Sequence, residues 1–369
     1  MKKTYMPLIA IIVALLLTAL AACGQAAVQN DADSVEPYPS PTPTAAPLPS
    51  PSPSPTPIPE TQATDVFALT PDMPGYISLG FIHELNDNFY NRLPFTYTEL
   101  SAAMWIADTL LEMGHPAENI QIQSFSWEDI EPLQHFMWLP SVEIAVSIFA
   151  GHADDARNYS QNVILTVPGT SGRTIIVGAH YDSVYTPGAS DNASGTALLM
   201  ESAYRMLHQD NYHTIIYIFF GAEEIGLLGA YYFVEGLTQD ELDNIIVMIN
   251  ADVLIESGRS GFGVTQLENE QHVENSVTLQ VSTIAQNLMN SYDVYLTNEL
   301  HLTGMGSDHI PFAQAGVAIV VLASLDLVVL HTPQDCIHYL NERWPGMVDK
   351  VMWTFSLFLN EMLMGLTSE

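Results

Sequence analysis

The chain has 369 residues, with nine Lys plus Arg against 42 Asp plus Glu and a formal net charge of −33. Binding to nucleic acid or anionic lipid through a basic surface is thereby excluded, because both depend on clustered Lys and Arg. With 48% hydrophobic residues and only two cysteines, Cys23 and Cys336, the chain can build a large core without disulfide support.

Residues 1–22, MKKTYMPLIAIIVALLLTALAA, carry two lysines, an apolar run and then small residues, the layout of a secretory signal peptide. The run is shorter than the ~20 residues a membrane span requires. Leu20-Ala21-Ala22-Cys23 resembles the lipobox of bacterial lipoproteins, which implies a lipid on Cys23. An ordinary cleaved signal with an incidental cysteine is the competing reading; Cys23 at the cleavage point, followed by Gly24, favours lipidation. The expectation is an exported protein, anchored to the outer face of the bacterial cell membrane through its lipid alone. Removing Lys2 and Lys3 takes the net charge to −35 (−33 − 2), and a lipid on Cys23 would leave Cys336 as a lone thiol.

Residues 23–62 are expected to form a disordered Pro/Ser-rich tether. Between Pro37 and Glu60 nearly every second residue is proline, which gives a stiff, extended spacer of ~3.1 Å per residue. Residues 63–369 then read as a single domain. FTYTELSAAMWIADTLLEMG has helical spacing from near Thr98 to Gly114, and IQIQSF alternates like a strand. Residues 127–157 are read as an insertion or cap.

NVILTV and TIIVGA are β-branched runs joined by PGTSGR, the signal of a hairpin. Ala193–Gln209 is a predicted helix, TIIYIFF a buried strand, LGAYYFVEGL a helix and NIIVMIN a further buried strand. ESGRSGFG (256–263) reads as a flexible loop. SVTLQVSTIAQNLMN is a helix, VAIVVLAS a strand, and WPGMVDKVMWTFSLFLNEMLMG a closing helix with Pro345 in its first turn. Continuous apolar strands alternating with helices predict an α/β fold, a mixed but largely parallel sheet covered by helices on both faces.

In such sheets a site forms at the carboxyl ends of the strands. His180-Tyr181-Asp182 follow TIIVGA, Glu223-Glu224 follow TIIYIFF and its Gly-Ala, and Asp252 follows NIIVMINA. Asp191-Asn192 precede the 193–209 helix, and His331 follows another apolar stretch. Two imidazoles with Asp191, Glu224 and Asp252 suit a pair of Zn²⁺ ions, whose +4 exceeds the −3 of the carboxylates. Glu223 then stays free to accept a proton from an activated water. Glycines at 226 and 229 permit close chain approach there. Other histidines, His83, His115, His208, His213 and His272, are read as ordinary core residues.

The ordered segments GAHYDSV, GASDNASGTA, FFGAEEIGLLGA, NAD, GSDHIPF and HTPQD, spread over Asn162–Leu340, resemble the motifs of the M28 family of zinc peptidases, whose best-known members are bacterial dizinc aminopeptidases. The resemblance implies that His180 and Asp252 hold one zinc, Glu224 and His331 the other, and that Asp191 bridges them. It implies Glu223 as general base and Asp182 as the carboxylate orienting His180, with Asp335 as a weaker candidate for the same service to His331. A cis Asp191–Asn192 bond and a pocket wall at Gly306–Phe312 follow from it too.

The chain departs from the family at Leu330, where some relatives place a tyrosine that polarises the scissile carbonyl; His301, His309 and Tyr181 are the substitutes considered. It departs again at Cys336 and His338, where Thr and Asp are more usual. The expected substrates are peptide or protein N-termini. Glutaminyl-cyclase-like or carboxypeptidase-like activity on the same fold, and a non-catalytic peptide-binding lipoprotein, are the alternatives.

Overall fold

The structure, a computed structural model, describes residues 66–126, 129, 155–268, 271–273, 276–298 and 306–366. The signal peptide, Cys23, the 23–62 tether, most of the 127–157 segment and His301 lie outside the described residues. Among the described residues no helix is long and apolar enough to cross a membrane.

In chain order the elements are α1 (Tyr76–Asn88), α2 (Tyr97–Glu112), β1 (Ile120–Phe125), β2 (Ser160–Val167) and β3 (Thr174–His180). A single wide helical turn at Ala189–Ala193 leads into α3 (Ser194–Met206), then β4 (Thr214–Phe220), α4 (Leu228–Glu235), α5 (Gln239–Asn244) and β5 (Ile245–Ala251). The remainder is β6 (Ser260–Glu268), β7 (Gln271–Val273), α6 (Ser276–Ser291), β8 (Leu296–Thr297), α7 (His309–Gln314), β9 (Ile319–Ser324), α8 (Ile337–Arg343) and α9 (Met347–Leu366).

The strands form one sheet in the order β1-β2-β4-β3-β5-β9-β6-β7, with β8 beside β6. Its centre is parallel: β3 runs with β4 and β5, and β5 with β9. The flanks β1, β2, β6 and β7 add antiparallel pairings. The expected mixed, largely parallel sheet is therefore what forms. The period-two alternation of strand side chains divides the core between the two faces. Val177, Phe219, Ile249 and Leu322 pack with α1, α2, α3, α6 and α9. Ile176, Ile218, Phe220, Met248 and Val321 pack instead with Phe233 of α4 and Phe312 of α7. Each such buried Leu, Ile or Phe contributes ~1.5–3 kcal/mol by leaving water.

Three expectations are corrected. β2 and β3 do not form a hairpin, because β4 inserts between them, antiparallel to β2 and parallel to β3. ESGRSGFG is not wholly a loop: from Ser260 it enters β6, which pairs antiparallel to β9 from Ser260↔Ser324 to Thr265↔Ile319. Pro345 lies outside the last helix, which begins at Met347 after Gly346 turns left-handed with φ 76°. The helical periods were otherwise well placed; α2, for instance, starts where Thr96 accepts the Glu99 N–H and stops before Gly114 at φ 106°.

Candidate metal centre

Four parallel strands end on one edge of the sheet, and the polar residues collect there. His180 is the last residue of β3 and pairs in register with Phe220 of β4, so the turn carrying Glu223 and Glu224 emerges beside it. Asp252 follows β5 directly, and its N–H donates to Leu322 O of β9. Asp191 sits in the wide turn ahead of α3, joined to Asn192 by a cis peptide bond. His331 belongs to the segment between β9 and α8.

His180 Nε2 lies 3.2 Å from Asp252 Oδ1 and 3.2 Å from Asp191 Oδ1. Asp191 turns its other oxygen to His331, with Oδ2 3.1 Å from Nε2, and the same Nε2 is 3.0 Å from Glu224 Oε2. Two ligand groups result, His180–Glu223–Asp252 and Asp191–Glu224–His331, each with donor atoms within 4.8 Å of one another. The five residues expected as ligands are thus brought together, with Asp191 facing both histidines. The first group is buried around His180, whereas the His331 side chain is 57% exposed and marks the open side.

Backbone conformation is unusual where it enters this cluster. Ala222 before Glu223, Val253 after Asp252 and His331 itself are left-handed, at φ 55°, 52° and 54°. Non-glycine residues, a β-branched valine above all, adopt this region only when the surroundings enforce it. Gly229 shows how tight the Glu223–Glu224 turn is, since a Cβ there would lie 2.3 Å from Asn162 Oδ1 and 2.5 Å from Gly221 O.

Asp182 lies beside one ring and holds two amides. Its Oδ1 lies 3.4 Å from His180 Nδ1, and its two oxygens accept the N–H groups of Glu223 (3.2 Å) and Glu224 (3.1 Å). Asp335 does not orient His331. It accepts the N–H groups of Ser190 (2.6 Å) and Asp191 (3.0 Å), so it fixes the backbone of the residue between the two histidines.

Other supports had no sequence signal strong enough to find them. Arg92 is fully buried and donates to five carbonyls, those of Tyr181 (2.5 Å), Leu85, Phe89, Pro187 and Gly188. Burial lowers its pKa to about 10 against the opposing pull of Asp335, Asp182, Asp191 and Glu224, so it remains a cation behind the carboxylates. Glu99 of α2 accepts the Ala222 N–H at 3.1 Å and the Ser160 hydroxyl at 2.6 Å, fixing the residue ahead of Glu223. Glu256 accepts the Val328 and Val329 N–H groups and so holds the start of the His331 segment.

The electrostatics of the cluster suit cations. Burial opposes charge on His180, yet Glu223, Asp252, Asp182 and Asp191 hold its pKa well above the ordinary value. Hydrogen bonds to Asp191 and Glu224 raise His331 to about 11. Burial and then Asp191 raise Glu224 to about 7, against the pull of His331. Burial raises Glu223 well above its usual range; His180 pulls the other way, while Asp308, Asp252 and Glu224 reinforce it. Asp191 is the exception: despite burial, its hydrogen bonds to His180 and His331 keep it below the carboxylate range. Five carboxylates, Asp182, Asp191, Glu223, Glu224 and Asp252, thus crowd two imidazoles, and Glu224 Oε1 is buried with no hydrogen-bond partner. Imidazole nitrogen with carboxylate oxygen is the donor set of zinc-class ions, and the residues fit such ions.

Of the substitutes considered for carbonyl polarisation, Tyr181 is removed. It is fully buried, and its hydroxyl donates to Gln161 O at 2.8 Å and accepts from Gln161 Nε2 at 2.6 Å. His309 is buried beside the cluster, and burial lowers its pKa to about 4, so it is a neutral ring. Its neighbour Asp308 is fully buried with both carboxylate oxygens unpartnered, and burial pushes its pKa far up. Among the histidines expected in the core, only His115 is buried; His83 and His213 are half-buried and His208 is exposed, while the His272 side chain lies outside the described ones.

Known proteins resemble this chain in sequence and in fold. Aminopeptidase YwaD of Bacillus subtilis is 31% identical over 177 residues, 46% of this chain and 37% of YwaD. The chain thus spans well under two thirds of that relative's length. The solved structure of BSAP, a zinc aminopeptidase from Bacillus subtilis, superposes with a TM-score of 0.59 at 19% identity, over 78% of this chain and 95% of that one. A glutaminyl cyclase from an Acidobacteriales bacterium superposes with a TM-score of 0.56 at 19% identity, over 81% and 98% of the two chains. The sequence profile of peptidase family M28 matches residues 162–356, more than half the chain, from within β2 to midway along α9 and including every residue of the two ligand groups, so the chain belongs to peptidase family M28.

Proposed function

We propose that the protein is a dizinc metallo-exopeptidase, an aminopeptidase that hydrolyses the peptide bond next to a free N-terminus. The observation that carries this reading is the pair of ligand groups meeting at Asp191, with Glu223 beside the first of them. His180 and Asp252 would hold one ion, Glu224 and His331 the other, and Asp191 both. When bound, such ions supply Lewis acidity towards the scissile carbonyl and lower the pKa of water towards neutrality.

The chain's own groups supply the rest. Glu223 is held at its backbone by Asp182 and by the Glu99–Ala222 contact, which keeps its carboxyl beside His180 and Asp252. Its chemistry is to take a proton from water as the carbonyl is attacked and to return it to the leaving amine. Asp182 and Asp335 act on position, Asp182 through His180 and the tandem glutamates and Asp335 through Asp191. The location that accompanies this reading is the outer face of a bacterial membrane, reached through a lipid on Cys23.

The test is hydrolysis of leucyl and other amino-acyl p-nitroanilides by zinc-loaded protein, beside N-acetylated versions and glutaminyl peptides. Release from free-amine substrates only, abolished by chelator and restored by zinc, supports the reading. Cyclisation of N-terminal glutamine without peptide hydrolysis would replace it with cyclase chemistry. Inertness towards all three substrates at full zinc loading would leave carboxypeptidase-like activity or a peptide-binding role.

A further inference from the structure

A second cluster of metal-ligand type lies outside the centre just described. His83 and Asp87 stand four residues apart on α1, and so share one face of that helix. His338 comes from the first turn of α8, and its Nε2 lies 2.8 Å from Asp87 Oδ1. The His83 and His338 rings are 5.7 Å apart between centroids, and one donor atom from each of the three residues lies within 4.8 Å of the others. None of the three takes part in the Asp191 centre.

We propose that His83, Asp87 and His338 form a separate site for a divalent transition metal of the zinc class, a clamp between α1 and α8. Two imidazoles and one carboxylate are a zinc-type donor set, with solvent completing the fourth position. The site is open: His83 is half-buried, and the His338 and Asp87 side chains are 64% and 43% exposed. Exposed side chains can shift rotamer, which closes the 4.8 Å spread to the roughly 3.3 Å edge of a zinc tetrahedron.

The surroundings are arranged for such a contact. Asn86 donates from Nδ2 to Asp87 Oδ1 at 2.6 Å and accepts the Ile337 N–H at 3.0 Å, so one side chain aligns the carboxylate and the start of α8 together. Partial burial would raise the Asp87 pKa, but hydrogen bonds from Asn86 and His338 hold it low, leaving the carboxylate ionised and ready to bind a cation.

Position gives the clamp a consequence. α8 begins two residues after Asp335, whose carboxylate fixes the Ser190 and Asp191 backbone, and α1 lies four residues before Arg92. An ion joining α1 to α8 therefore ties together the segments that carry two supports of the Asp191 centre. It is a structural metal, and it stands whether or not the chain is a peptidase.

The experiment compares wild type with His83→Ala/His338→Ala. Both proteins are stripped with chelator and dialysed to equilibrium against zinc alone, and zinc per chain is then measured by elemental analysis. Wild type is expected to hold one equivalent more than the double variant, and zinc is expected to raise its unfolding temperature further. Equal zinc content overturns the proposal and leaves the cluster as a solvated His–Asp pair. Should the double variant fold poorly, zinc-edge anomalous diffraction from wild-type crystals decides instead. A peak bonded to all three residues supports the site, and a blank map there at saturating zinc removes it.

Discussion

Replacing Glu223 by Gln preserves size and hydrogen-bonding reach but removes the ability to take a proton. Turnover of amino-acyl amides by Glu223→Gln is expected to fall by ~10²–10⁴-fold with zinc content unchanged, a split that elemental analysis and steady-state kinetics separate. Arg92 is a harsher case. Its guanidinium is fully buried, bonds five carbonyls and offsets four carboxylates, so Arg92→Met strands all of them at once. The expected cost is about 3–5 kcal/mol of stability, read from urea unfolding. These two residues differ in how far the sequence revealed them. Glu223 stands out because a tandem acid follows a buried strand and needs a counter-charge. Arg92 leaves no such trace, because its acceptors are backbone carbonyls, one of them 96 residues away at Gly188. Asp335 stands four residues after His331 in the sequence, but its partners are the amides of Ser190 and Asp191 and not His331. Contacts made through the backbone carry no residue-type signature.

At the level of elements, buried parallel strands are legible because both faces are covered and the apolar run is unbroken. β3, β4, β5 and β9 could be placed this way, and their ends locate Glu223, Asp252 and His180. Sheet order was not legible. PGTSGR looks like a local turn, yet β4 enters between β2 and β3, a long-range pairing that no short window contains. β6 was missed for its glycines, although Phe262 packs edge-on against Phe358 of α9 at 5.2 Å. Helix α7 shows how an element supports the centre from behind. Phe312 is fully buried, with ring centroids 6.3 Å from Phe220 and 6.0 Å from Phe233, and α7 starts directly after Asp308. Phe312→Ala should cost about 3–5 kcal/mol by thermal or urea unfolding. Gly188 governs the wide turn before α3: at φ 58°, a Cβ would lie 2.5 Å from Asp191 O and 2.8 Å from Arg92 Nη2. Gly188→Ala is expected to lower zinc retention even where the fold survives, as equilibrium dialysis would show.

For the whole molecule, the centre links metal, protons and stability. Without metal, His180 and His331 are held above their ordinary pKa by the surrounding carboxylates, His331 to about 11. Both imidazoles must be neutral and Glu224, raised to about 7, ionised to bind an ion, so zinc uptake at pH 7 should release at least about two protons, measurable by calorimetry in buffers of differing ionisation enthalpy. Stability follows from the same shifts. A raised folded pKa means that the stabilisation is complete below the unfolded value near 6.5 and is lost as pH climbs through the folded one. Chelated protein should therefore unfold at progressively lower temperature as pH rises from about 6.5 towards 11, a trend that zinc suppresses. A flat profile in chelator would show that the imidazoles are not paired as described.

The proposal of a dinuclear centre is tested most directly by zinc-edge anomalous diffraction from crystals equilibrated with zinc. Two peaks are expected on either side of the Asp191 carboxylate, roughly 3.5–4 Å apart, one bonded to His180 and Asp252 and the other to Glu224 and His331. A single peak, or none between the two histidines at saturating zinc, would contradict it.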